Sequence, residues 1–478
     1  SRPNQGKSVA SVRLGTLERS IVMLLSLREG YSLKVGTDGV LRSVKSVFDY
    51  FVFYEVRLAR RPWLVIVVLL FSLGLPIAIA VLGPRDWWLH PSWSLLVYAG
   101  VLVKLSWNLV RSDAPQVAKF EFNNKLREDL KSAHAPESER QAGFKRVSRN
   151  SGFDGPVVLS DEFNSRSMCD SATDWHVTVH ADGDIRKEIL DSLKNQRVHF
   201  VNYGRQAMLR SILRHKALIN EQKVAFAESF PPNGRGISVF QTDYFTSLCS
   251  AERGLEDVVF EEDGTKHVLR KAKDWNALHW RDGMFRLPKL FGNSPPMSLH
   301  IGVEVLAVSS DNFFRLAVQS SKTEFSRCMR APLGSGSIDW NDTNGATTLK
   351  AIIRNAACRE LSEEWGASNP LIFAKMRQLK PEPIGYFRSV LRLGKPQFVC
   401  LVRLNCKDHE LSADASEVLG DARSRYNAPD LGSLTRVLDS VLDHHGNQID
   451  SAALLGAVHV LRDLIDRRPE RIREILSY

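Results

Sequence analysis

Glu360, Glu363 and Glu364 stand at i, i+3 and i+4 in the stretch CRELSEEWG, residues 358–366. On a helix this spacing puts three carboxylates on one face. Like charges there repel, so the face gains only where a cation or arginines intervene. Hard oxygen donors projecting together suit Mg²⁺ or Mn²⁺. Such an ion neutralises diphosphate oxygens and lowers the pKa of a bound water. The same string on a surface helix also reads as a plain solvated acidic face.

Other residues suit phosphate or a base. Arg330 lies just before the glycine- and serine-rich stretch APLGSGSIDW, and Arg388 falls on a strand further on. Each is a phosphate candidate or a surface ion-pair partner. The backbone N–H groups of Gly334, Ser335, Gly336 and Ser337 could cradle a phosphate or form an ordinary turn. Phe240 and Tyr244 sit among hydroxyls in GISVFQTDYFTSLCSAE. They could stack a base or pack in a core. His444 and His445 read as solvated.

These residues need elements to hold them. LHIGVEVLAVSS and FFRLAVQSS around Asp311-Asn312 form two strands and a tight turn. A glycine-rich loop follows. ATTLKAIIRNAACRELSEEWG is then helical, with Leu349, Ile352, Ile353, Ala356, Ala357, Leu361 and Trp365 on its apolar side. Gly366 is its stop. EPIGYFRSVLRLGKPQFVCLVRLN gives two strands around Gly394. Upstream, GPVVLS, WHVTVHADGD and RVHFVNYG read as strands. GRQAMLRSILRHKALINEQKVAFAESF reads as a helix whose arginines face solvent. The last segment is helical, its apolar face either core or a self-association surface.

The chain has 478 residues, 44% hydrophobic and 25% charged, with 64 Lys and Arg against 54 Asp and Glu. That is a folded protein of two or three units. A formal charge of +10 favours anionic partners without choosing among them. No basic run or RNA-binding motif points to nucleic acid. The six cysteines include no C-x-x-C pair, which fits free thiols. Residues 63–82 are uncharged and, as a helix of ~1.5 Å rise per residue, would span a bilayer. Residues 93–110 are a second span, interrupted by Lys104 and Asn108. Arg57, Arg60 and Arg61 before the first span and Arg111 and Lys119 after the second place both termini in the cytoplasm. The spans leave anchor and effector open.

Arg359, Glu360, Leu361, Glu363, Glu364 and Gly366 match the second half of the Nudix box, so the chain resembles the Nudix superfamily over roughly 297–405. For the first half, ungapped counting puts Gly345 in the glycine position and Ala351 in that of the acid. The preferred alignment uses Gly336 and Asp342, with the acid bracing Arg359. With two spans upstream, the chain is similar to the two-transmembrane, SMODS-associated Nudix effectors of CBASS antiphage defence. The resemblance implies an α/β protein: a two-helix membrane hairpin, then a cytosolic α+β body containing a Nudix-like α/β/α sandwich. The expected segments are an N-terminal cytosolic part (1–56), the hairpin (57–111), a juxtamembrane linker (112–150), an α/β extension (151–296), the Nudix-like domain (297–408) and C-terminal helices (409–478).

The implied function is a bacterial inner-membrane receptor. A cyclic oligonucleotide, made by an associated nucleotidyltransferase, binds the body; the chains oligomerise; the bilayer is breached, and growth arrest or death follows. No cofactor is required, with Mg or Mn at the acidic helix the metal in view. The alternative is a membrane-tethered, Mg-dependent Nudix hydrolase acting on a nucleoside diphosphate derivative.

Overall fold

Strands that are apolar on both faces must be covered on both faces. Two largely apolar runs, 302–308 and 395–402, are buried along their whole length, with Glu304, Lys395 and Gln397 as their polar positions, and form the centre of the protein. The structure is a computed structural model. It describes short stretches between residues 119 and 298, and all of 298–478 except 321–327, 367–368, 415–417, 420–423 and 444–449.

The first strands in chain order are β1 (Lys119–Phe122), β2 (Phe144–Val147), β3 (Val157–Ser160), β4 (His176–His180), β5 (Gln222–Phe226) and β6 (Gly236–Asp243). Next come β7 (Glu256–Glu262), β8 (Thr265–Arg270), β9 (Trp280–Arg281), β10 (Met284–Phe285), β11 (Gly302–Val308) and β12 (Phe313–Arg315). The remainder are β13 (Ala317–Gln319), β14 (Arg330–Ala331), β15 (Gly334–Ser337), β16 (Glu382–Ser389), β17 (Lys395–Arg403), β18 (Val418–Leu419) and β19 (Arg425–Asn427). The helices that lie in full among the described residues are α1 (Asn124–Lys131), α2 (Tyr244–Ser247), α3 (Leu349–Gly366), α4 (Pro370–Arg377), α5 (Leu431–Leu442), α6 (Ala452–Arg467) and α7 (Pro469–Leu476).

Among the described residues, the largest sheet has eight strands in the order β19-β12-β11-β17-β16-β3-β2, with β15 also on β11. β11 and β17 run parallel, Gly302 opposite Gln397 through Val308 opposite Arg403. The other pairings are antiparallel. Side chains alternate across a sheet. Val303, Val305 and Ala307 enter one core with Ile352, Ile353, Ala356, Leu361 and Trp365 of α3. Leu306 and Val308 enter the other with Leu434, Leu438, Leu454, Leu461 and Ile472 of α5, α6 and α7. The apolar face of the C-terminal helices is therefore core.

A small sheet, β4-β6-β5, sits at the N-terminal end of β11. Ile301 N donates to Val224 O at 2.8 Å and Val224 N to Ile338 O at 3.1 Å. This sheet walls the site described next.

Three expectations change. Residues 222–226, read as part of a helix, are strand β5, because Val224 and Phe226 pack into the core while the backbone pairs with β6. Gly334–Ser337, read as a loop, is strand β15 on β11. Over the described residues, the architecture of a membrane hairpin carrying a Nudix-like body is corrected to a single mixed α/β domain. Among the described residues no helix is long and apolar enough to cross a membrane. The longest, α3, carries Lys350, Arg354, Arg359, Glu360, Glu363 and Glu364 and packs on the sheet. The two-pass inner-membrane placement falls with that architecture. Its spans, 63–82 and 93–110, lie outside the described residues, as do 1–56 and His444 and His445.

Candidate functional site

Helix α3 is held against β15 by fit and by a hydrogen bond. Trp365 Nε1 donates to Leu333 O at 2.6 Å, fixing the last turn. Leu361 packs on Gly334, where a Cβ would lie 3.2 Å from its side chain. At Gly336 a Cβ would lie 2.0 Å from Glu360 Oε1. Glycine at that position lets the Glu360 carboxylate lie directly against the strand.

Arg359 is the centre of the cluster, with 14% of its side chain exposed. Its Nη2 donates to Ser337 O at 2.6 Å and to Asp342 Oδ2 at 3.1 Å. Its Nε lies 3.3 Å from both Asp342 oxygens. Nη1 donates to Glu360 Oε1 at 2.9 Å and Glu363 Oε2 at 3.2 Å, and lies 3.4 Å from Asp339 Oδ2. Burial opposes its charge, but Glu360, Asp339 and Asp342 outweigh burial and raise its pKa. Asp342 Oδ2 also accepts from Asp339 N at 2.8 Å, closing the short turn that presents both aspartates.

One guanidinium does not satisfy this much negative charge. Burial pushes half-exposed Glu363 up to about 7, with Arg359 pulling down and Glu360 pushing up. Burial likewise lifts Asp339 to about 6, against Lys223 and Arg359. Lys223, on β5, contacts Asp339 and bonds Glu221 Oε2 at 2.8 Å. On β11, Glu304 is 2% exposed; burial raises it to about 8, a bond from Ser335 and the charges of Lys395 and Arg392 pull it down, and Glu360 adds to the rise.

The structure thus brings Gly336, Asp342, Arg359, Glu360 and Glu363 together. Glu364 is buried at 2%, and Gly366 ends α3 where a Cβ would lie 2.7 Å from the Phe373 backbone. Arg330, Arg388, Phe240 and Tyr244 lie elsewhere. Arg330 Nε and Nη2 donate to Asp450 at 2.6 Å, and Nη1 to Tyr426 Oη at 2.7 Å. Arg388 is wholly buried, and its Nε donates to Gly394 O at 2.8 Å. Phe240 is buried on β6, and Tyr244 opens α2 with its ring 6.1 Å from His300. The backbones of Gly334 to Ser337 pair with Val305 to Gly302.

Sequence reading missed Asp339, Glu304 and Lys223. Asp339 stood inside a quoted motif. Glu304 is an acid in the middle of an apolar strand, which is a usable signal because a buried charge must be paired or neutralised. Lys223 had none, since its strand read as helix. The donor set of α3 is hard oxygen and suits Mg²⁺ or Mn²⁺ in chemistry. Among the described residues, however, no group of three or more His, Cys, Asp or Glu is arranged to hold a metal ion; Arg359 occupies the space between Glu360 and Glu363.

No family model matches the chain, and no curated protein matches it. One similar solved structure is the crystal structure of DR0079 from Deinococcus radiodurans, 15% identical, covering 35% of this chain and 82% of that one, with a TM-score of 0.21. So low a score carries no argument about kinship. The resemblance to the Nudix superfamily and to the two-transmembrane CBASS effectors, carried by a partial motif match and two apolar stretches outside the described residues, is therefore corrected. The inner-membrane CBASS function, and its alternative as a tethered Nudix hydrolase, fall with it. The motif positions meet in space, but braced arginines and acidic helix faces serve many proteins.

Proposed function

We propose that the α3 face is a divalent-cation site that helps to bind a phosphate-bearing small molecule. One observation carries the reading: Glu360, Glu363, Asp339 and Asp342 surround a single guanidinium, and two of them, Asp339 and Glu363, have raised pKa values. Surplus buried negative charge of this kind is relieved by a cation. Glu360 and Glu363 are the proposed holders of Mg²⁺ or Mn²⁺. The bound ion would supply charge neutralisation for phosphate oxygens. Because Arg359 now bridges Glu360 and Glu363, ion binding requires its guanidinium to give up those two contacts and keep Asp342 and Ser337 O.

The test is Mn²⁺ binding to the full chain, followed by electron paramagnetic resonance, with and without inorganic pyrophosphate. Binding at micromolar to millimolar Mn²⁺, released protons near pH 7, and tighter binding with pyrophosphate are expected. Glu363→Gln should weaken it by about ten-fold or more, the loss of one charged ligand. Equal Mn²⁺ binding by wild type and the Glu360→Gln/Glu363→Gln double variant overturns the reading.

A further inference from the structure

Across the sheet from α3, five polar side chains share one face at the N-terminal end of β11. Gly302, Glu304, Leu306 and Val308 alternate to the side where Leu306 and Val308 meet the C-terminal helices. Residues directly opposite each other across a ladder point to the same face. Ser337 is opposite Gly302 and Ser335 opposite Glu304. On the other side Gln397 is opposite Gly302, and Lys395 lies two residues before it. Lys395, Gln397, Glu304, Ser335 and Ser337 therefore form one patch, set apart from the α3 carboxylates by strand β15.

This patch is buried and incompletely satisfied. Lys395 is 3% exposed, Gln397 2% and Glu304 2%. Lys395 Nζ donates to Ser337 Oγ at 3.3 Å among its contacts. Ser335 bonds Glu304, yet Glu304 Oε2 and Gln397 Oε1 are both buried without a hydrogen-bond partner. Leaving a buried oxygen without a partner is costly, and two neighbours on one face are unusual. Gln397 is also held where only glycine permits: a Cβ on Gly302 would lie 1.6 Å from Gln397 Oε1. The strand thus carries no side chain beneath the orphaned carbonyl.

We infer that this patch is a second ligand site, which takes the phosphate of a phosphate ester on Lys395 and Ser337 and reads a neighbouring donor–acceptor edge with Gln397 and Glu304. Lys395 offers ammonium hydrogens and Ser337 a hydroxyl to an anion. Gln397 Oε1 accepts one hydrogen. Glu304, held protonated at neutral pH by burial and by the charge of Glu360, against the pull of Ser335, Lys395 and Arg392, donates one. A lactam edge, a carbonyl beside an N–H, is the complement of that pair. Guanine O6 and N1–H present it, and the adenine edge presents an equivalent acceptor–donor pair. The site goes beyond the cation reading and does not depend on it.

The probes are guanosine 5′-monophosphate, guanosine and inorganic phosphate, titrated calorimetrically into the full chain in EDTA, so that a divalent-ion site cannot contribute. The nucleotide should bind at least about ten-fold more tightly than guanosine or phosphate. Lys395→Met should lower nucleotide affinity by about ten-fold or more and leave guanosine unchanged, as expected for one charge-assisted bond. Gln397→Met should weaken both. Glu304→Gln keeps a donor and should remove the loss of affinity that wild type shows as pH rises through about 8. The variants are compared at equal folded fraction by thermal unfolding. No binding of guanosine 5′-monophosphate at millimolar concentration means the patch holds water only and overturns the inference. So does nucleotide affinity unchanged in Lys395→Met.

Discussion

Arg359 shows how one side chain sets the behaviour of its neighbours. Its three nitrogens meet Asp342, Asp339, Glu360, Glu363 and Ser337 O. Removing one partner of a buried ionic cluster leaves the others uncompensated, at about 3–5 kcal/mol. Arg359→Met should therefore lower the unfolding free energy at pH 8 by about that amount in urea titrations, and by less at pH 5.5, where raised carboxyls are protonated. Glu304 makes a cleaner case for the sign of the pH effect. Its folded pKa, about 8, lies above its ordinary value. The folded state then binds the extra proton, and the group's contribution is whole below about 4.5 and lost as pH rises through 8. Glu304→Gln, neutral and of the same shape, should be the more stable protein above pH 8. The difference from wild type should grow with a slope approaching about 1.4 kcal/mol per pH unit across pH 5–8. A pH-independent difference would mean that Glu304 titrates normally.

At the scale of elements, the contact of α3 with β15 decides the site. Gly336→Ala places a methyl group where the Glu360 carboxylate lies. It should cost about 1–3 kcal/mol in denaturant unfolding, and the cost should shrink in a Glu360→Ala background, because the two atoms compete for one space. Additive costs would mean the helix has room to move. This contact also shows what the sequence could and could not convey. Helix α3 was legible because seven apolar residues recur at helical spacing and all are buried on one side. The turns at Asn312 and Gly394 were legible, and both have positive φ. Strand β15 was not: Gly-Ser-Gly-Ser is turn chemistry by local preference, and only pairing with β11 makes it a strand. The pairing of Asp342 with Arg359 was an expectation of the family resemblance and not of spacing, since ungapped counting puts Ala351 in the place of the acid. The proximity of Gln397 and Glu304 depends on a parallel register between strands far apart in the chain, which no local pattern encodes.

At the scale of the whole molecule, the central sheet draws its strands from 144–160, 302–315, 334–337, 382–403 and 425–427, and the C-terminal helices close one face. Such a topology needs ties between distant segments. Arg330 on β14 makes one, bonding both oxygens of Asp450, which is fully buried before α6, and reaching Tyr426 on β19. Ser451 N also donates to Arg330 O at 3.0 Å, so backbone and side chain join the same two segments. Burial opposes the Arg330 charge, but its bonds and attraction to Asp450 raise its pKa overall. A pair this enclosed gains little from being ionic as against apolar, yet breaking half of it is costly. Asp450→Asn keeps the shape and removes the charge, leaving a guanidinium without its counter-ion in the joint between β14, β19 and α6. It should lower the unfolding free energy by about 3–5 kcal/mol. If the C-terminal helices fold with the sheet as one unit, urea unfolding should stay a single transition with an unchanged slope, and only its midpoint should fall. A loss below about 1 kcal/mol would show that solvent reaches the pair. A second transition at lower urea would show that α5, α6 and α7 can leave while the sheet stays folded, and that the tie holds two units together rather than one.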